Sequence, residues 1–250
     1  MQWESPRCNF CGSNEKDVYL TTPHKCWYGR RLRLVECKRC HLVYADPRPT
    51  FDSLMSEYFT EEYLRQAYWR KLNRPNVRTI HRSIVKRALG YCPDAKTLFD
   101  VGTGAGTLLL EARQLGLQVA GNDINWVAVN YLQQQGLQVY CSPTSQLQLD
   151  AEFDIITCLD YIEHTYTPWD DLQWIYEHLA DSGILYLKTL WLGCPDHKEA
   201  GARWKLFAEL HNYYYTPEVL FEMLRKAGFE LLWERRDRAI IHTISRKVRA

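Results

Sequence analysis

Four cysteines stand in two matched pairs, Cys8-x2-Cys11 and Cys37-x2-Cys40. Each pair has the spacing of a knuckle, a tight turn that aims two thiolates at one ion while backbone amides stabilise the sulfur charge. Two knuckles close a tetrahedral all-sulfur site. That site suits Zn2+ best because the ion imposes no d-electron geometry, with iron in the same cage as the alternative. Four protein ligands leave no open position, so such an ion would serve structure. Gly12 follows the first pair, where a knuckle often needs a positive φ. His24 and Cys26, between the pairs, could substitute as ligands. Cys92, Cys141, Cys158 and Cys194 stand singly and read as buried thiols. Nine cysteines are an odd number, and no apolar leader precedes them, which argues against a disulfide framework.

A second chemistry sits further along, in Gly102-Thr103-Gly104-Ala105-Gly106, directly after an apolar run over 97–101. Glycines there let the backbone pass close to a ligand, and Asp123, one strand later, is placed to take two ribose hydroxyls. The spacing is G-x-G-x-G, with Leu108 where a dinucleotide fingerprint has its third glycine, and no Walker lysine follows. The pattern therefore predicts a nucleotide-like ligand but disfavours a pyrophosphate or triphosphate.

Alternating elements must position that loop. Apolar runs over 97–101, 117–121, 137–141, 153–159 and 184–190 read as strands, separated by helical stretches over 108–114, 125–135 and 169–180. Thr216-Pro217-Glu218 starts a further helix with a cap, an N1 proline and a first-turn acid; Gly228 stops it, and strands over 229–234 and 239–245 follow. Strands separated by helices call for a parallel sheet with right-handed crossovers, and ligands bind at the carboxyl ends of its strands. The fold class is α/β. Ahead of it, runs over 17–20 and 33–36 read as strands of a metal ribbon, and Asp46-Pro47-Arg48-Pro49-Thr50 as a stiff exit. Tyr58, Phe59, Tyr63, Tyr68 and Trp69 then sit on a helical stretch. His81 falls on the apolar face of a second one and reads as a core histidine. This divides the chain into a ribbon (1–50), an aromatic-rich helical connector or lid (51–92) and a ligand-binding domain (93–250).

Composition narrows the function classes. Of 250 residues, 46% are apolar and 24% charged, the balance of a globular chain, and the net charge of +1 excludes a polyelectrolyte. The charge is uneven: residues 1–90 carry 17 Lys and Arg against 9 Asp and Glu, and the rest carry 14 against 21. A basic front could attract an anionic, phosphate-bearing partner, or simply attract the acidic rear. Aromatics at 13% exceed what a minimal core needs and point to a lined pocket. No apolar stretch is long enough to span a bilayer, so the sequence reads as a cytoplasmic protein with no membrane partner.

Several segments together resemble class I S-adenosylmethionine-dependent methyltransferases. Residues 99–106 are similar to their first motif, Asp123 to their ribose-binding acid, and 153–164 to their fourth-strand motif with its Glu-His ending. Residues 179–185 resemble their turn into strand five. Residues 211–217, with Leu42 to Pro49 after the second knuckle, resemble the subgroup that carries an N-terminal zinc ribbon. The likeness implies a Rossmann-like seven-stranded sheet, the last strand antiparallel, a structural Zn2+ on Cys8, Cys11, Cys37 and Cys40, and S-adenosylmethionine as methyl donor, leaving as S-adenosylhomocysteine. It implies that Asp100, Gly102, Thr103 and Gly104 cradle the methionine part, Asp123 the ribose and Ile124 the adenine. Leu159 would offer its carbonyl near the amino group, and Asp160 would face substrate or sulfonium. In the loop after strand three, Thr144 or Ser145 would replace the family's adenine-contacting acid or amide. His41 replaces a glycine frequent in the subgroup.

The implied reaction aligns a nucleophile in line with a sulfonium methyl, and a hydroxyl or acidic carbon then needs a base. His164 and His211 are the candidates, with Tyr214 either a further substrate contact or a core ring. Sugar C-methyltransferases of the subgroup have a glutamate before that second histidine, where this chain has Leu210. O-methylation of a small metabolite or glycan therefore reads at least as well. Two rival readings are a nucleic-acid methyltransferase guided by the ribbon and a non-catalytic scaffold. The first lacks an N-P-P-Y-like motif after strand four and a dense basic stripe. The second fits poorly with an intact glycine loop, Asp123 and two placed histidines.

Overall fold

A computed structural model describes residues 1–248. Chain order begins with β1 (Trp3–Glu4), β2 (Lys16–Trp27), β3 (Arg30–Cys37), β4 (Val43–Ala45) and β5 (Arg48–Pro49). The helical segment follows: α1 (Phe51–Ser53) running into a π turn (Leu54–Tyr58), then α2 (Glu61–Leu72) and α3 (Val77–Tyr91). The α/β part comprises β6 (Thr97–Val101), α4 (Thr107–Gln114), β7 (Gln118–Asp123), α5 (Trp126–Gln134), β8 (Gln138–Cys141), β9 (Phe153–Leu159), α6 (Pro168–His178) and β10 (Leu179–Leu190). It closes with α7 (Pro195–Ala200), β11 (Tyr213–Tyr214), α8 (Pro217–Lys226), β12 (Phe229–Arg236) and β13 (Ile240–Lys247).

The main sheet has seven strands in the order β12-β13-β10-β9-β6-β7-β8. Strands β6 to β10 pair in parallel, and β13 runs antiparallel to both β10 and β12, as the sequence led us to expect. Strand order reverses between β6 and β9, which opens a crevice above their carboxyl ends. The core strands are apolar on both faces because helices cover both. Leu98, Phe99 and Val101 of β6 and Ile155, Ile156 and Cys158 of β9 are all buried.

The front of the chain differs from expectation in two ways. Its hairpin is far longer than runs over 17–20 and 33–36, because Trp27 pairs with Arg30 across a two-residue turn. Tyr28 and Gly29 both have positive φ there, the combination that matches strand twist and lets pairing run to the tip. Second, the ribbon sheet reads β11-β4-β3-β2, so its edge strand comes from the far end of the chain. Tyr213 pairs with Tyr44 and Tyr214 with Val43. The cores merge as well: Phe10, Val35, Leu42 and Tyr44 pack in one cluster with Leu220, Met223 and Leu224 of α8. Among the lone thiols, Cys158 and Cys194 are buried, Cys92 is half-buried and Cys141 is exposed. Cys141 ends β8, the sheet's edge strand, where no further strand covers it. Among the described residues no helix is long and apolar enough to cross a membrane.

Candidate active site

The four paired cysteines converge, their sulfurs all lying within 4.8 Å of one another. Cys8 Sγ is 3.4 Å from Cys40 Sγ, and Cys11 Sγ is 3.4 Å from Cys37 Sγ, with no disulfide formed. The two knuckles are alike. Gly12 N–H donates to Cys8 O at 2.8 Å with φ +72°, and His41 N–H donates to Cys37 O at 2.9 Å with φ +59°. His41 thus carries a side chain in a glycine's conformation, a strain of about 1 kcal/mol, and its ring meets Glu36 at 2.8 Å. The donor set and its closeness fit one thiophilic ion.

Above the carboxyl ends of β6, β7 and β9 lies a cavity of about 470 Å³, a size suited to a small-molecule ligand. Gly102, Gly104, Asp123, Ile124, Asp160 and His164 line it, all of them marked from sequence. Gly102 has φ +68°, and a methyl there would collide with the Tyr161 ring, so only glycine fits. Asp123 ties the floor together: Oδ2 accepts from Gly104 N–H at 2.7 Å and Oδ1 from Asn125 N–H at 2.8 Å. Each carboxylate oxygen keeps a further lone pair for a ligand hydroxyl. Asp160, at φ +50°, accepts from Lys188 Nζ at 2.6 Å.

Other expected contacts sit behind the wall. The Asp100 carboxyl is 4% exposed and accepts from Thr157 Oγ1 at 2.5 Å; burial pushes it up to about 7. It braces the glycine loop from beneath. Thr103 is buried, its N–H donating to Asn122 O at 2.8 Å; the Leu159 side chain packs against the core cluster of α3, α4 and β6, while the residue itself closes the carboxyl end of β9. Tyr214 is fully buried in the ribbon's core, its hydroxyl donating to Leu206 O at 3.3 Å, so it meets Trp204 and Phe207 rather than the cavity. Thr144 and Ser145 do not offer their hydroxyls to a ligand either. Thr144 Oγ1 accepts from Asn122 Nδ2 at 3.0 Å, and Ser145 Oγ meets Thr167 Oγ1 at 3.1 Å. Pro143 and Gln146 face the cavity instead.

Three residues that sequence reasoning missed complete the lining. Asn122 is 1% exposed, and its Oδ1 has no hydrogen-bond partner among the described residues. A buried amide oxygen left unpaired is costly, so it is a ready acceptor for a ligand N–H. Lys71, on α2, lays its ammonium over the loop: a methyl on Gly104 would stand 3.0 Å from Nζ. Gln146 is the third. Helix α1, the turn after it and α2 roof the cavity with Phe51, Phe59, Tyr63 and Tyr68. The aromatic surplus of the sequence signalled such a wall, but only packing shows which rings form it.

The histidines lie side by side, ring centroids 4.7 Å apart. His164 Nδ1–H donates to Leu210 O at 2.9 Å, and His211 Nδ1–H donates to Leu206 O at 2.7 Å. A carbonyl only accepts, so the proton of each neutral ring is on Nδ1 and the lone pair on Nε2. Burial pushes both down to about 4. At neutral pH both rings are uncharged, with free lone pairs. His164 lines the cavity, and His211 stands behind it.

Residues 68–234 match the family model described as a methyltransferase domain. A ubiquinone biosynthesis O-methyltransferase of Azoarcus sp. (strain BH72) is 30% identical over 159 residues, 57% of this chain and 68% of that one. One from Ruegeria pomeroyi is 30% identical over 148 residues, 53% of this chain; the chain spans only 59% of that relative's length. Among solved structures, the Burkholderia thailandensis 1,6-didemethyltoxoflavin-N1-methyltransferase, with its substrate and S-adenosylhomocysteine bound, superposes at TM-score 0.61. It shares 16% identity, over 85% of this chain and 98% of that one. The magnesium protoporphyrin IX methyltransferase of Synechocystis PCC 6803, with S-adenosylhomocysteine bound, gives 0.60 at 18% identity, covering 78% and 97%.

Proposed function

The chain belongs to the methyltransferase-domain family, and from that premise we propose that it transfers a methyl group from S-adenosylmethionine to an oxygen or acidic carbon of a small-molecule acceptor. The observation that carries this is the cavity itself: an acid, an unpaired buried amide oxygen and an ammonium converge over a glycine loop. Those three groups answer a ribose diol, an N–H-bearing base and a carboxylate, the three polar parts of that donor. When bound, S-adenosylmethionine supplies a methyl carbon already activated by its sulfonium, so the chain's task is alignment.

Asp123 holds the ribose, Ile124 packs on the adenine, and Asn122 Oδ1 with Gln146 meets the base's polar edge. Gly102 and Gly104 let the methionine part approach the backbone, and Lys71 pairs with its carboxylate. The roof from 51 to 72 excludes water and, with Tyr166, offers the acceptor an aromatic wall. Removal of the acceptor's proton falls to the histidine pair: His164 presents its lone pair at the cavity and His211 supports it from behind. A structural Zn2+ on Cys8, Cys11, Cys37 and Cys40 completes the reading. The curated relatives methylate a ubiquinone precursor by name; for this chain an aromatic or glycan hydroxyl suits the same wall, and the basic front suits a phosphate-bearing carrier.

Asp123→Ala is the direct test. Losing charge-assisted hydrogen bonds worth about 1.5–3 kcal/mol should weaken S-adenosylmethionine binding by roughly tenfold to a hundredfold in calorimetry. Full affinity would remove the residue from the site and with it the reading. Lys71→Met should weaken S-adenosylmethionine about tenfold and leave decarboxylated S-adenosylmethionine unaffected. An equal loss for both ligands would show that the ammonium does not meet the carboxylate.

A further inference from the structure

Beside His164 and His211 lies a third group, Glu163, and one ligand atom from each lies within 4.8 Å of the others. Glu163 is 3% exposed, and its Oε2 accepts from Thr189 Oγ1 at 2.8 Å. It forms no salt bridge among the described residues, and Lys188, the residue before its partner Thr189, pairs with Asp160. A buried carboxylate without a counter-ion is unfavourable. Next to it stand two imidazoles whose Nε2 atoms accept no hydrogen bond among the described residues. Both rings are oriented by Nδ1–H bonds to backbone carbonyls, the arrangement that outer-shell partners impose on metal-bound histidines.

The scaffold around the three is rigid. Asn212 N–H and Tyr213 N–H donate to Glu163 O at 2.7 and 3.1 Å, and Asn212 Nδ2 donates to His164 O at 2.7 Å. These bonds lace the loop after β9 to the segment that carries His211. A buried carboxylate and two half-buried imidazoles thus meet at one point beside the cavity wall.

We propose that Glu163, His164 and His211 bind one divalent first-row transition-metal ion at the acceptor end of the cavity. Two nitrogens and one carboxylate oxygen favour Mn2+, Fe2+ or Co2+ over Ca2+, and three protein ligands leave coordination positions open. Those positions face the cavity through His164, where an acceptor's oxygen can bind and become more acidic. With the ion bound, both histidines serve as ligands and the coordinated acceptor's proton leaves to solvent water; in the metal-free chain the histidine pair takes that proton. That role rests on the methyl-transfer reading; the binding itself does not.

The chain carrying a single zinc equivalent, the one expected on the four cysteines, is titrated with Mn2+, read by loss of the free-ion electron paramagnetic resonance signal, and with Co2+, read by its visible absorption. One equivalent of each should bind, with affinity at least tenfold lower in His211→Ala and in Glu163→Gln, the latter retaining the parent's thermal melting and S-adenosylmethionine affinity. If Glu163→Gln does not fold, His164→Gln takes its place in the comparison. Absence of binding for both ions, or equal binding by the parent and every folded variant, overturns the proposal. A chain that binds Mn2+ but not S-adenosylmethionine keeps this site and loses the methyl-transfer reading.

Discussion

Replacing His164 with alanine should cut turnover by about a hundredfold or more while S-adenosylmethionine affinity changes by less than about threefold. The separation of effects follows from the geometry. Asp123, Asn122 and the glycine loop sit over β6 and β7, whereas His164 follows β9 and is fixed by Leu210 O. Alanine there removes the lone pair that faces the acceptor but leaves every group assigned to the donor. His211→Ala should cost a similar factor, because His211 reaches the cavity only through its neighbour 4.7 Å away. Residues that act as one unit are not additive. The double variant should therefore be little worse than either single one. Steady-state kinetics with calorimetry decides it: additive losses, or a single variant with full turnover, would show that the two rings do not work as a pair.

The sheet and its glycine loop were legible because both are local patterns. An apolar run ending in G-x-G-x-G and an acid one strand later need no knowledge of distant packing, and Gly102, Gly104 and Asp123 all line the cavity. Legibility failed where a side chain's direction depends on contacts far away in sequence. Tyr214 and His211 come from one Tyr-rich stretch. Yet pairing with β4 turns Tyr214 into the ribbon core, while Leu206 O holds His211 beside His164. Lys71 was hidden because nothing in α2 marks one lysine among several charges; only the fold of the helix over Gly104 singles it out. Asn122 was passed over in favour of its neighbour Asp123, although both end the same strand. An alternating strand sends adjacent side chains to opposite faces, but at the strand's end both come to line the crevice. The long hairpin was missed for a different reason: Tyr28-Gly29 is a weaker turn signal than Asn-Gly or Asp-Gly.

Removing the ion proposed for the ribbon should lower turnover through the shared strand. Tyr213 and Tyr214 are the fourth strand of the ribbon sheet, and Ala45 N–H donates to Asn212 O at 2.9 Å. Asn212 in turn bonds the backbone of Glu163 and His164, and His211 precedes it directly. Strand β4 begins three residues after Cys40, and Cys37 N–H closes the second knuckle onto Leu42 O at 3.0 Å. The ion proposed there would therefore fix the edge on which the histidine segment hangs. Structural zinc sites contribute folding energy outright, about 10–16 kcal/mol in isolated finger peptides, and little else in a short ribbon can replace it. Cys37→Ser should release about one equivalent of zinc, lower the melting temperature and cut turnover at least tenfold. S-adenosylmethionine affinity should fall much less, because β7 also packs against α4 and α5, and Asp123 itself ties Gly104 to Asn125. Elemental analysis, thermal melting, kinetics and calorimetry on one preparation test each part. Zinc loss with unchanged turnover would show that the ribbon does not position the histidines, and a wild-type chain that is metal-free yet fully stable would remove the ion from the fold.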